Sequence, residues 1–279
     1  MILVFGKTGQ LGGELAFNSG VKALSRVEAD LSQPKACQDI IMDIKPAAVI
    51  NAAAYTAVDE AEKNEAICFR VNCDAPAEMA EACNILQVPF IHISSDYIFD
   101  GTGTRPFRET DTPSPINVYG RSKLAGERKV MDAYADAVIL RTSWVFSSRG
   151  QNFVRSIASL SLENKHLSIV ADQIGAPSST AAISEACLKI IDFKSQGNSA
   201  SGIFHFSGFP YVSWAEFAEI ICLKLNRETQ IRPIPSSDYP TLATRPLNSR
   251  MDCTLIKQEF DIDAADWHKD LDQVLQEME

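Results

Sequence analysis

Short, uninterrupted apolar runs alternate along this chain with longer stretches of mixed polarity. Residues 1–5 (Met-Ile-Leu-Val-Phe) are apolar throughout, the pattern of a strand covered on both faces. Residues 21–24, 47–51, 88–94 and 137–141 are short, mostly apolar and also read as strands. Between them, apolar positions recur at helical spacing up to about residue 18, over 33–45, over 66–86 and from 117 to about 134. The 33–45 helix stops before Pro46, and 66–86 has to absorb Pro76 by a local adjustment. Strands that alternate with helices predict an α/β fold, a Rossmann-type doubly wound parallel sheet. After about residue 146 the rhythm loosens. Residues 152–162, 180–193, 214–225 and 268–278 read as helices, and 166–170, 202–207 and 230–235 as extended. The pattern therefore predicts a nucleotide-binding domain over 1–146. Residues 147–279 are expected to form mainly a smaller substrate-binding domain, with some segments returning to the first.

Composition and charge narrow the class. Hydrophobic residues make up 46% and charged residues 22% of 279, ordinary for a globular chain. A formal net charge of −10 argues against nucleic acid or an anionic membrane as partner, since both reward basic surfaces. No apolar run approaches the roughly 20 residues that span a bilayer. The chain opens on a strand with no basic leader, so no signal peptide is expected. Seven cysteines, an odd number without Cys-x-x-Cys, read as small buried hydrophobes in a reducing compartment. The expectation is a cytoplasmic protein.

The candidate chemistry gathers where predicted strands end. Gly6-Lys-Thr-Gly9-Gln-Leu-Gly12 follows the first strand. Glycines there permit a tight turn and let backbone N–H groups approach a pyrophosphate. The spacing is Gly-x-x-Gly-x-x-Gly, not the simplest dinucleotide fingerprint. Strand two ends in Ser25-Arg26, where an NAD site would place an acid. A hydroxyl and a guanidinium suit the 2′-phosphate of NADPH; a solvated surface arginine is the plainer alternative. Asp30-Leu31 can bond and cover an adenine, or Asp30 or Ser32 can cap the helix that Pro34 opens. Small residues after strand three, through Ala54-Tyr55-Thr56, let a cofactor lie against the backbone. Strand four ends in Ser94-Ser95-Asp96-Tyr97, and a serine there can hydrogen-bond a substrate oxygen. Residues 101–115, rich in Gly, Pro and Thr, read as a loop and a candidate lid.

Tyr119 and Lys123 lie four apart on the helix that follows, hence on one face. An ammonium beside a phenol favours the phenolate and pulls its pKa down from about 10. That pair suits proton transfer to or from an alcohol or ketone oxygen. The same spacing also arises by chance, as a half-buried aromatic beside a solvated lysine.

Taken together, Gly6-x-x-Gly9-x-x-Gly12, Ser95 and Tyr119-x-x-x-Lys123 resemble the extended short-chain dehydrogenases/reductases. The stretches at 5–12, 51–59, 94–101, 118–127, 141–146 and 172–177, with Arg-Pro-Leu-Asn-Ser-Arg at 245–250, resemble more narrowly the dTDP-4-dehydrorhamnose reductase family. That resemblance implies reduction of the C4 ketone of a dTDP-sugar, with Tyr119 as proton donor. It implies that Lys123 holds the nicotinamide ribose and lowers the Tyr119 pKa. Ser95, which replaces a frequent family threonine, would bond the sugar oxygen. Asp96 and Trp144 resemble sugar contacts. Gln10, Leu11, Ala54, Tyr55 and Thr56 match cofactor-lining positions. NADPH is the expected cofactor, with NADH tolerated. In part of the family a magnesium ion held by glutamates joins two subunits. Glu14, Glu185 and Glu277 stand at positions like those ligands, in a chain with 36 Asp and Glu, most of which would face solvent anyway. Two other readings share this fold: a non-catalytic regulatory subunit like methionine adenosyltransferase β, and a sister dTDP-4-ketosugar reductase.

Overall fold

The computed structural model describes residues 1–278. Its centre is a six-stranded sheet built from β1 (Ile2–Phe5), β2 (Val21–Leu24), β3 (Ala48–Asn51), β4 (Phe90–Ser95), β5 (Val138–Thr142) and β6 (Gly202–His205). The spatial order is β6-β5-β4-β3-β1-β2, and every pairing is parallel. The chain leaves β1 toward β2 on one side and returns across it to β3 on the other. The switch point, where such sheets open a crevice at the strands' carboxyl ends, therefore lies between β1 and β3.

The apolar runs are two-faced. Along β1, Leu3 and Phe5 pack into one core with Cys37, Ile41, Met79 and Val130. Val4 points the other way, into a core with Leu15, Ile183, Ile190 and Phe260. Strand alternation thus feeds helices on both faces, which is why no polar position interrupts the run. The second of those cores draws on the Thr180–Ser195 and Thr254–Phe260 helices. Residues 202–207, read only as extended, supply the sheet's sixth strand, and the Thr254–Phe260 helix has no counterpart in the periodicity reading. A third core gathers Phe146, Val154, Phe217, Trp267 and Leu271 beside the parallel pair His166–Val170 and Gln230–Ile234.

Pro76 is absorbed as a change of helix type. Residues Arg70–Asp74 form a π-helical turn between the Glu65–Phe69 and Ala75–Leu86 helices. A wider turn relieves the clash that a proline ring makes with the preceding turn. It also carries Asn72, whose amide accepts from Tyr55 N–H at 2.7 Å and donates to Tyr55 O at 3.1 Å. The 52–56 segment is held at the carboxyl end of β3 by that bridge. The 101–115 loop, a candidate lid in the sequence, is fastened instead. Phe107 N–H donates to Arg250 O at 2.9 Å, Asp252 N–H to Phe107 O at 2.8 Å and Asn248 Nδ2 to Arg105 O at 2.8 Å.

Candidate active site

One cleft of about 720 Å³ runs along the carboxyl ends of the strands, from the glycine turn after β1 to the turn after β4. The glycine turn is tight. A Cβ at Gly12 would sit 2.1 Å from Gly6 O, so only glycine lets the Gln10–Leu15 helix start under the turn. Gly6, Gly9, Gln10 and Leu11 line the cleft, whereas Gly12 lies beneath it. Gln10 Oε1 accepts from Ser147 Oγ at 2.8 Å and Asn152 Nδ2 at 3.0 Å, which ties the turn to the segment opposite. A shaped, glycine-lined trough of this kind fits a dinucleotide pyrophosphate.

The far rim divides the other expected cofactor residues. Arg26, Asp30, Leu31, Ala54, Tyr55 and Thr56 line the cleft. Ser25 does not: its hydroxyl and backbone N–H both donate to Glu28 at 2.8 Å. Glu28, an acid near this rim, has no counterpart in the sequence reading. Asp30 accepts from Ser32 N–H at 2.9 Å, so it closes a local turn as well as facing the cleft; it does not cap the following helix, whose preceding residue is Gln33. Arg26 approaches Asp30 at 3.5 Å and is 76% exposed, free to meet a phosphate.

The Val118–Ala133 helix presents Tyr119 and Lys123. Asn117 caps it by accepting from Gly120 N–H at 2.8 Å and is itself tied to Thr244 O at 2.8 Å. A Cβ at Gly120 would fall 2.1 Å from Tyr97 O. The absence of one lets the helix press against the turn after β4, which sets Tyr119 in the cleft with Ser95. Tyr97 meets the Tyr119 ring edge-on at 5.6 Å.

The electrostatics differ from the expectation for Lys123. Burial pushes the Tyr119 phenol above its ordinary range, with Asp96 and Cys68 adding to the rise and Ser95 opposing it. Lys123 does not offset this. Its Nζ donates to Ile93 O at 2.6 Å and lies 3.3 Å from His92 Nε2, turned to the back of the cleft. Burial lowers Lys123 itself to about 8, against the pull of Glu127. The expected lowering of the Tyr119 pKa by Lys123 is therefore corrected: burial raises it, and the phenol expected as proton donor keeps its proton more firmly.

Asp96 is buried, and desolvation lifts its carboxyl to about 6 although Ser95 donates to its Oδ1 at 3.0 Å. Its Oδ2 and Thr142 Oγ1 are buried without a hydrogen-bond partner, and both residues line the cleft. Buried orphans are costly, and two in one cleft suit a polar ligand. Trp144, with a left-handed φ of 48°, stacks on Trp214 at 3.5 Å and 8°. Trp214 also lines the cleft. Sequence reading placed Trp214 only at a helix start; its capping serine, Ser213, gave no sign that the indole faces Trp144. Thr142 was likewise read only as a strand end.

Glu14, Glu185 and Glu277 are not gathered in one chain. Glu14 and Glu185 border one shallow surface depression, and Glu185 pairs with Lys189 at 2.9 Å. Glu277 is near enough to Glu14 to help raise its pKa, after burial, and it accepts from Ser148 at 2.7 Å. Among the described residues no three His, Cys, Asp or Glu side chains are grouped to hold a metal.

Comparison with known proteins agrees with this geometry. The family model described as RmlD substrate binding domain matches residues 1–279. A dTDP-4-dehydrorhamnose reductase of Burkholderia thailandensis is 40% identical over 95% of each chain. The enzyme of the same name from Sinorhizobium fredii is 40% identical, covering 96% of this chain and 94% of its own. Among solved structures, dTDP-4-dehydrorhamnose reductase from Bacillus anthracis in complex with NADP superposes with a TM-score of 0.93 at 30% identity, covering 99% of this chain and 98% of that one.

Proposed function

The chain belongs to the RmlD substrate binding domain family of dTDP-4-dehydrorhamnose reductases, and on that premise we propose how its cleft works. It is an NADPH-dependent oxidoreductase that reduces the C4 ketone of dTDP-6-deoxy-L-lyxo-4-hexulose to dTDP-L-rhamnose. The observation that carries the reading is one continuous cleft with a glycine turn at one end and Tyr119, Ser95 and Lys123 at the other. Bound NADPH supplies the hydride for C4. Tyr119, kept protonated by burial, gives its proton to the oxygen that becomes an alkoxide. Ser95, which lines the same cleft, would orient that oxygen by turning its hydroxyl from Asp96 Oδ1. Asp96 Oδ2 and Thr142 Oγ1 offer polar contacts to the sugar, and the Trp144–Trp214 stack offers it an apolar wall. The glycine turn and Ala54-Tyr55-Thr56 would hold the dinucleotide, with Lys123 turning from Ile93 O to the ribose.

Turnover of the ketosugar with NADPH, followed by product NMR, tests the assignment. Rhamnose is expected. The C4 epimer would point to a sister ketosugar reductase, and no turnover with tight binding to a partner enzyme would point to a regulatory subunit.

Arg26 sets the cofactor preference in this reading. Arg26→Ala should lower kcat/KM for NADPH about tenfold, about 1.4 kcal/mol, and leave NADH nearly unchanged. Initial rates with both cofactors measure it, and an equal loss with both would remove Arg26 from phosphate recognition.

The proposal extends to a cytoplasmic location, in keeping with seven free cysteines; no described helix is long and apolar enough to cross a membrane. It also extends to a homodimer joined by magnesium at Glu14, Glu185 and Glu277. Magnesium prefers oxygen ligands and keeps several waters, so carboxylates spread over two subunits can suffice. Sedimentation should give a dimer with magnesium and a monomer with EDTA or with Glu14→Gln. One unchanged mass throughout rejects the bridge.

A further inference from the structure

Asn51, at the end of β3, and His92, within β4, are fully buried. Neither lines the cleft, and the reduction described above gives neither a task. They nonetheless form a chain of contacts that ends on Lys123. Ala53 N–H donates to Asn51 Oδ1 at 3.1 Å, which fixes the amide's orientation. Asn51 Nδ2 therefore meets His92 Nδ1, 3.1 Å away, as a donor. Burial, then the nearby Lys123 charge, holds the His92 pKa well below its usual value, so the ring is neutral. A neutral imidazole has one N–H and one bare nitrogen. With Nδ1 accepting from Asn51, the hydrogen sits on Nε2.

That nitrogen lies 3.3 Å from Lys123 Nζ. A lysine ammonium has three donors and accepts nothing. Ile93 O takes one of them at 2.6 Å. Nε2, already carrying hydrogen, takes none. We propose that Asn51 and His92 are positioning residues that deny Lys123 a second acceptor at the back of the cleft and so aim its ammonium at the ligand side. The inference rests on the reading of Lys123 as the residue that holds the cofactor ribose.

The other groups around Lys123 leave room for this role. Glu127, one turn along the same helix, favours the ammonium, but its two oxygens bind Arg141 of β5, and Ser94 of β4 donates to one of them. Cys68, from the Glu65–Phe69 helix, is kept as a thiol by burial. Tyr119 is a neutral phenol, and Asp96 acts on Tyr119. The Asn51–His92 pair is thus the part of the surroundings that decides whether the back wall accepts or repels a donor.

The tautomer can be read directly. Long-range ¹H–¹⁵N NMR of the ligand-free protein, with four histidines and His92→Gln for assignment, should show neutral His92 with hydrogen on Nε2 between about pH 6 and 8. Hydrogen on Nδ1, or an imidazolium in that range, overturns the proposal whether or not any variant folds. Asn51→Asp places an acceptor against Nδ1, moves the hydrogen there and turns Nε2 into an acceptor for Lys123. The alkaline limb of kcat/KM should then rise by about one pH unit, a tenfold gain in proton affinity. NADPH binding measured by calorimetry should weaken about tenfold. Asn51→Leu, which adds no charge, should move both in the same direction. A shift confined to Asn51→Asp would mark a simple charge effect and reject the tautomer mechanism. A tautomer switch without any change in limb or NADPH affinity would reject the positioning role. Absence of ketosugar turnover would leave the NMR and binding results standing, so the two readings fail separately.

Discussion

Tyr119→Phe is expected to slow ketosugar reduction by about 10²–10⁴-fold, the usual worth of a positioned general acid, while NADPH binding and thermal stability stay close to wild type. The hydroxyl is the only group removed, and the ring keeps its edge-on contact with Tyr97. Burial raises the pKa of the phenol, so it remains protonated through the whole neutral range and can always give a proton to a developing alkoxide. Ser95 cannot take over as acid, because an aliphatic hydroxyl holds its proton far more tightly than a phenol, and at rest that hydrogen is donated to Asp96 Oδ1 at 3.0 Å. Single-turnover rates with saturating NADPH and ketosugar measure the effect. A variant that keeps kcat within a few-fold of wild type would mean that another group protonates the oxygen, and Tyr119 would lose its role.

Glu127→Gln should cost about 3–5 kcal/mol of stability, the usual cost of leaving a buried charge without its partner. Glu127 and Arg141 are 2% and 1% exposed. They meet through two bonds, Arg141 Nε to Oε1 at 2.9 Å and Nη2 to Oε2 at 2.7 Å. The amide keeps the shape and can still accept from Ser94. It removes the negative charge, however, and leaves the guanidinium with His205 Nε2 at 3.3 Å and the Phe99 ring, neither of which neutralises it. For a chain of this size each kcal/mol is worth about 2–4 °C in melting temperature, so a fall of about 6–20 °C is expected by calorimetry. A drop of under about 2 °C would show that the pair is not what holds the helix to β5. The same substitution reaches the site. Glu127 favours the charged form of Lys123, so its loss should lower the Lys123 pKa further below about 8 and shift the alkaline limb of activity to lower pH, opposite to the shift expected for Asn51→Asp.

Much of the scaffold was legible in the chain because it depends on local rules. Five mostly apolar runs gave β1 to β5 to within about two residues, since strands of a covered parallel sheet are rich in apolar residues. The glycine turn, the capped start of the helix at Asn117 and the Tyr119–Lys123 spacing are each set by neighbours within a few residues. Residues that matter through distant partners stayed silent. His205, in β6, reads as one polar residue in a short extended run, and only pairing with β5 shows it to be core. Trp214 and Trp144 stand 70 apart in sequence, and nothing in either neighbourhood announces a stack. The 101–115 loop has the composition of a lid, but composition does not register the bonds from residues near 250 that fasten it.

The sequence by itself determined the parallel sheet, the place of the crevice and part of its lining, because periodicity, turn chemistry and strand ends are local properties. Only the tertiary structure decided the state of those side chains. Protonation depends on desolvation and on neighbours brought in from other strands and helices. The Tyr119 phenol, which the spacing with Lys123 would make more acidic, is in the folded chain made less so by burial, and the Lys123 ammonium is turned toward Ile93 O and His92.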